Sequence, residues 1–350
     1  MNTILNRCLD DLEARLDPAD EDRLLDEWTA FSEGRCPDEI FSPRRARRSA
    51  PGIEWPAVRV NTALENPEAM LLQQYGACSH ELAAGSGSML NVRANYGTSI
   101  LPLLLGVKPF VMPDEMDTLP TSEPLNDVDA IRRVVDAGMP DLFSGYGARV
   151  MEIGQRFAEI GKAYPRIGRC VHPYHPDLQG PLDVCEVVWG SSIFIALYDD
   201  PGLVHHLLRL VTKVYIAFMQ SWAQIVPFEP AGNCHWGYFH RGSIMIRLDS
   251  AMNISLPMCE EFARPYDQQL LDAFGGGAIH FCGRGDHFIA SLTGLRGLTA
   301  INLTQPHLND MEHIYVHTID QGINLLGLER TAAETARIHG RQLHGRVHCT

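Results

Sequence analysis

His280 and Cys282 stand one residue apart in GGGAIHFCGRGDH, residues 275–287. On an extended strand alternate side chains share a face, so the imidazole and the thiol project together while Phe281 points the other way. Imidazole nitrogen and thiolate sulfur are the donors zinc prefers, and a catalytic zinc takes three protein ligands with one position left open. Gly283 and Gly285 follow at once, which suits a tight turn from strand to helix. For the third donor the sequence offers Cys234 with His235, His172 with His175, and His348 with Cys349. Cys349 is the preferred reading, because it ends GRVHCT, a last strand whose C-terminal end would lie on the same side as the other strand ends once a barrel closes.

Two further groups carry chemistry. Arg247 and Asp249, two apart near the end of SIMIRLDS, share a face and read as a catalytic pair. The arginine can anchor an anion and the aspartate can accept a hydrogen bond. NCHWGYFHRG, residues 233–242, crowds donors and aromatic rings into what reads as a loop after a strand. That is the composition of a pocket wall, with His235 and Tyr238 touching substrate and Tyr96, after NVRAN, on the opposite side. His172, His175, His205 and His206 read as structural, and Glu186 as a minor candidate for a fourth ligand.

These residues need a scaffold that brings strand ends together. From residue 86 onward short apolar runs alternate with helical segments. SMLNVRANYG, RCVHPYHPDLQGPLDVCEVVWG, GSIMIRLDS, GAIHFCG, TAINLT, INLLGL and GRVHCT read as strands with their loops. DDPGLVHHLLRLVTKVYIAFMQSWAQ, with an aspartate cap, and LPMCEEFARPYDQQLLDAFG, with a glycine stop, read as helices, as do DHFIASLTGL, NDMEHIYVHTIDQ and RTAAETARIHG. Repeated βα units of this kind predict an α/β fold, a (β/α)8 TIM-type barrel over residues 86–350. Residues 1–85 read as an N-terminal helical extension, with Leu5, Cys8, Leu12 and Leu16 on one face and Leu24, Leu25, Trp28 and Phe31 after Pro18. It would serve as a lid, a barrel floor or the arm of a homodimer. No G-x-G-x-x-G opens a helix after an early strand, which argues against a dinucleotide fold.

Composition narrows the function classes. A chain of 350 residues with 45% hydrophobic content can bury a large core. Its formal charge of −14, with one short basic run at Arg44-Arg45-Ala46-Arg47-Arg48, argues against nucleic acid as a partner. Nine cysteines without a secretion-type start read as reduced thiols in the cytoplasm. No uninterrupted apolar run approaches the roughly 20 residues of a spanning helix, so no membrane is expected.

GPLDVCEVVWGSSIFIALYDDPGLVHHLL and GSIMIRLDSAMNISLPMCEEFARPYDQQLLDAFGGGAIHFCGRGDHFIASLTGLRGLTAINL resemble the uroporphyrinogen decarboxylase superfamily. Within it, HFCG is similar to the zinc-dependent methyltransferases that act on methylated corrinoid proteins and thiols. The likeness runs from about residue 96 to 328 and implies a (β/α)8 barrel. It also implies zinc on His280, Cys282 and a later cysteine, for which Cys349 stands, although that cysteine usually has chain following it. The arginine-rich R-Q-A-G-R-Y type stretch of the decarboxylases themselves has no counterpart. The function implied is methyl transfer to a thiol, or between a small-molecule substrate and a corrinoid protein. The alternative is a metal-free decarboxylase-like lyase in which Arg247 and Asp249 work with His280 as acid or base.

Overall fold

A computed structural model describes residues 3–350. Its strands are β1 (Ile40–Phe41), β2 (Asn91–Val92), β3 (Lys108–Phe110), β4 (Thr121–Glu123), β5 (His172–Pro173), β6 (Asn233–His235), β7 (Tyr238–His240), β8 (Ile244–Arg247), β9 (Gly277–Phe281), β10 (Leu298–Leu303), β11 (Asn324–Leu328) and β12 (Val347–Cys349). Six of them form one parallel sheet in the order β1-β12-β11-β10-β9-β8, and β2 and β5 form a separate parallel pair. Pairs β3-β4 and β6-β7 are antiparallel. The architecture is therefore α/β with helices between successive parallel strands, but the ladders do not close into the expected ring. At one seam the edge strand β8 is satisfied by a side chain: the Met245 N–H donates to His175 Nε2 at 3.0 Å. That histidine lies two residues beyond β5.

Strand alternation sorts the core into two layers. Ile244, Ile246, Ile279, Phe281, Ile301 and Val347 face the helices in the larger apolar cluster. Met245, Ala278, Ala300 and Leu326 face the other way, into a second cluster with Trp28, Phe31, Phe41, Met89, Cys234 and Phe239. Small residues at 278 and 300 leave room on that inner face, and the β6-β7 hairpin takes it. The hairpin was expected to be a loop following a strand. Instead it precedes β8, so it approaches from the N-terminal ends of the strands, and its tip reaches His280. Trp236 (φ +50°) and Gly237 (φ +80°) form the two-residue turn, in which both central residues need positive φ.

The N-terminal segment is built into this core. The break at Pro18 separates helices Thr3–Arg15 and Pro18–Ser32, and Asp17 caps the second by accepting the Ala19 N–H. Leu24, Trp28 and Phe31 are buried on one face of that helix, at helical spacing. Phe31 stacks on Phe41, Trp28 meets Phe41 edge-on and His348 at a tilt, and β1 itself pairs with β12.

Other elements depart from the expected boundaries. GPLDVCEVVW is a helix, Pro181–Trp189, rather than strand and loop; proline at its first position pre-sets the helical φ. The helix expected over LPMCEEFARPYDQQLLDAFG is two, Leu256–Phe262 and Arg264–Ala273, broken just before Pro265. Helix Pro201–Ala223 is long and apolar enough to cross a membrane by length and composition, and most of it is buried in the core.

Candidate metal centre

Asp249, His280 and Cys282 converge, with one ligand atom of each lying within 4.8 Å of the others. Strand β9 carries His280 on its inner face and Cys282 follows directly after its end, while Asp249 follows the adjacent strand β8, whose Arg247 pairs with His280 in register. Cys282 Sγ lies 3.3 Å from His280 Nε2, which lies 3.5 Å from Asp249 Oδ1. Bond lengths of about 2.0–2.3 Å to a tetrahedral zinc put ligand atoms roughly 3.3–3.6 Å apart, so this spacing fits such an ion.

The histidine is held in the tautomer that metal binding needs. Its Nδ1–H donates to Asn302 Oδ1 at 2.6 Å, leaving the Nε2 lone pair toward Asp249 and Cys282. Asn302 is oriented in turn, since its Nδ2 donates to the Leu326 carbonyl at 2.6 Å. Burial lowers the His280 pKa below the ordinary imidazole value, against the opposing pull of Asp249 and of Asn302. Burial likewise raises the Cys282 thiol, while the Thr304 hydroxyl, donating to Sγ at 3.4 Å, favours the thiolate. A cation at this point would override the thiol's shift and reinforce the imidazole's, because it stabilises thiolate and neutral imidazole together.

A cationic edge borders the three ligands. Asp177 Oδ2 accepts from Arg247 Nη2 at 2.6 Å and from Arg93 Nη1 at 3.0 Å, so two guanidinium groups share one carboxylate. Arg247 also lies 3.8 Å from Asp249 and stacks 4.6 Å over the Trp236 ring. The edge of Trp236 meets His280 at 4.9 Å and 80°. Behind Asp249, the carboxylate of Asp183 is fully buried, and burial with the neighbouring Asp249 charge raises its pKa.

Among the residues expected at the site, the structure gathers His280, Cys282, Asp249 and Arg247. It does not bring Cys349 to them. Cys349 is fully buried in the helix-facing layer with Val347, because alternation turns its neighbour His348 inward instead. Tyr96 also packs in that outer layer, 5.4 Å from Tyr146, with burial pushing its hydroxyl up to about 12. His235 sits at the hairpin tip between Tyr174, His175 and Trp236, fully buried, with neither ring nitrogen hydrogen-bonded within the protein. Tyr238 faces His348 and Trp28. His172 pairs with Glu229, and Glu186 accepts from the Ser250 hydroxyl, so both are occupied elsewhere. Sequence reasoning missed Asn302, Arg93 and Asp177. A polar residue inside the apolar run TAINLT was the available signal for Asn302.

Volume and donor chemistry point to different places. A surface cavity of about 860 Å³ between helices Met311–His317 and Arg330–Ile338 contains none of the three clustered residues. The donor set is the more specific sign, because imidazole, thiolate and carboxylate are the ligand types zinc takes.

The solved structure of a methyltransferase from Methanosarcina mazei superposes with a TM-score of 0.64 at 15% identity, covering 93% of this chain and 92% of that one. The chain shares its fold with a methyltransferase. No protein-family model matches the sequence, and no curated protein matches it significantly.

Proposed function

We propose that the chain is a zinc-dependent methyltransferase of the uroporphyrinogen decarboxylase superfamily, with Asp249, His280 and Cys282 as the metal ligands. The observation that carries this reading is their convergence, with Cys282 Sγ 3.3 Å and Asp249 Oδ1 3.5 Å from the His280 Nε2 that Asn302 holds in place. The shared fold and the resemblance of HFCG to the corrinoid and thiol methyltransferases support it. In this reading the eight parallel strands are a (β/α)8 barrel whose ring is open at two seams. Methyl donor and acceptor are a small-molecule substrate, a thiol or a corrinoid protein.

Zinc bound there would hold a thiol substrate as its thiolate in the fourth position. The chain's own residues do the rest. Asn302 keeps the His280 lone pair directed, and Asp249 fills the third position from the neighbouring strand. Arg93 and Arg247, with only Asp177 between them, present positive charge beside that position and orient whatever acidic group the substrate carries. Trp236 walls the inner side and fixes the Arg247 plane. Orientation and thiolate stabilisation are the protein's contribution, while the methyl carrier supplies the reactive carbon.

The test is zinc content by elemental analysis of wild type, Asp249→Asn and Cys282→Ser, followed by methyl transfer from methylcobalamin to a panel of small thiols. We expect about one equivalent of zinc in wild type, little in Cys282→Ser, and transfer that follows zinc content. A wild type that is metal-free and cannot be reloaded refutes the reading.

A further inference from the structure

The Asp249 carboxylate is met by the Cys282 N–H, which donates to Oδ1 at 2.7 Å, and by Arg247, 3.8 Å from Oδ2, while its backbone is held from another element. The 3₁₀ turn Ser250–Asn253 that begins after it has no side-chain cap. The two N–H groups that open the turn go to one carboxylate on another element: Asp183 Oδ2 accepts from Asp249 at 2.9 Å, and Asp183 Oδ1 accepts from Ser250 at 2.8 Å. One helical turn on, Glu186 accepts from the Ser250 hydroxyl at 2.5 Å. Residues 183 and 186 lie three apart on helix Pro181–Trp189, so both acids present the same face. A second observation shows that this helix is pressed against the end of β8. A Cβ on Gly180 would lie 2.1 Å from the Arg247 carbonyl oxygen, a separation no real Cβ tolerates, so only glycine permits the approach.

We propose that Asp183 is a positioning residue of the metal centre, holding the Asp249 and Ser250 backbone so that the Asp249 carboxylate faces His280 and Cys282. The role rests on the metal reading above. A carboxyl group suits it because each of its two oxygens accepts one of these N–H groups, whereas an amide of the same shape must turn its NH₂ toward one of them. Asp183 is only 3% exposed, so water cannot replace the lost bond. A buried acid placed behind another acid is unfavourable on its own account. It makes sense where the front acid is to be matched by a cation.

The experiment measures zinc affinity by chelator competition in wild type, Asp183→Asn, Asp249→Asn and the double variant, beside the visible spectrum of each loaded with cobalt. Asp183→Asn is expected to bind zinc about 10–100-fold more weakly, as losses around metal ligands do. The double variant should bind no more weakly than Asp249→Asn, since Asp183 acts through Asp249. The cobalt spectrum of Asp183→Asn should move toward that of Asp249→Asn, which a general loss of stability would not produce. Should the asparagine variant fail to fold, Asp183→Thr, keeping one acceptor, replaces it with the same expectation. Wild-type affinity in the Asp183 variant, or a double variant that multiplies the two losses, overturns the positioning role alone. A wild type that takes up no zinc overturns the metal reading, and the positioning role with it.

Discussion

Asn302 is the most informative single residue to change. It is 2% exposed and holds two bonds of 2.6 Å, one fixing the His280 tautomer and one fixing its own amide on the Leu326 carbonyl. Asn302→Leu removes both and leaves the His280 Nδ1–H and the Leu326 carbonyl buried without those partners. Each such group costs about 1–3 kcal/mol, so the metal-free protein should lose roughly 2–6 kcal/mol of stability. Zinc binding should suffer separately. With Nδ1 unheld, the imidazole is free to rotate and to place its proton on Nε2, and removing such a partner typically weakens metal affinity about 10–100-fold, or roughly 1.4–2.7 kcal/mol. Asn302→Asp is the contrasting change. It keeps an acceptor for Nδ1–H and makes it anionic, so affinity should be retained or improved despite loss of the Leu326 bond. Denaturant titration of metal-free protein gives the first number and chelator competition the second. If Asn302→Leu binds zinc as tightly as wild type, His280 is not a ligand through Nε2 and the proposed geometry is wrong.

Three other expectations follow from the same arrangement. Cys349→Ser should keep its zinc while losing about 1–3 kcal/mol of stability, because a hydroxyl replaces a buried thiol in an apolar layer; zinc loss in this variant would place Cys349 at the metal after all. Ala300→Leu should destabilise by about 1–3 kcal/mol through collision with the hairpin on the inner face, read from the thermal midpoint, and an unchanged midpoint would show that the hairpin does not fill that space. His348 should make the fold acid-sensitive. Burial pushes its pKa down to about 3, its Nδ1 accepting the Gly327 N–H, so the folded state stays unprotonated while the unfolded chain takes up a proton below about 6.5. Its contribution is therefore complete above that value and is lost as pH falls toward 3, by about 2–3 kcal/mol on going from pH 7 to 4.5. His348→Gln should flatten the stability profile over that window by that amount, and an equal slope in both proteins would contradict the assignment.

The parts of the site that were legible in the sequence are those governed by local geometry. A period of two places His280 and Cys282 on one face wherever the strand lies, and the same rule pairs Arg247 with Asp249. Asp200 caps the helix Pro201–Ala223 through the Leu203 N–H as its position before a proline suggested, since capping is decided within three or four residues. The hairpin at 233–240 was misplaced for a reason of direction: its composition marks it as a pocket wall, but not whether it follows one strand or leads into the next. The helix at Pro181–Trp189 was misread because its residues are apolar on nearly every side, which suits a buried helix and a buried strand alike.

What the sequence by itself determined is a chain of alternating strands and helices with two donors sharing one strand face and an Arg247–Asp249 pair near the end of another. The tertiary structure decided which residue stands third beside that pair. His348 and Cys349 are adjacent, so one of them must face inward, and in a three-residue strand nothing local says which. Pairing of β12 with β1 and β11 turns His348 into the inner cluster and Cys349 toward the helices. Asp249 then completes the set because β8 lies beside β9 in register, with Asn302 on β10 opposite His280. Those are choices of strand order and phase, set by the burial of whole faces across hundreds of residues, and no short stretch of sequence carries them.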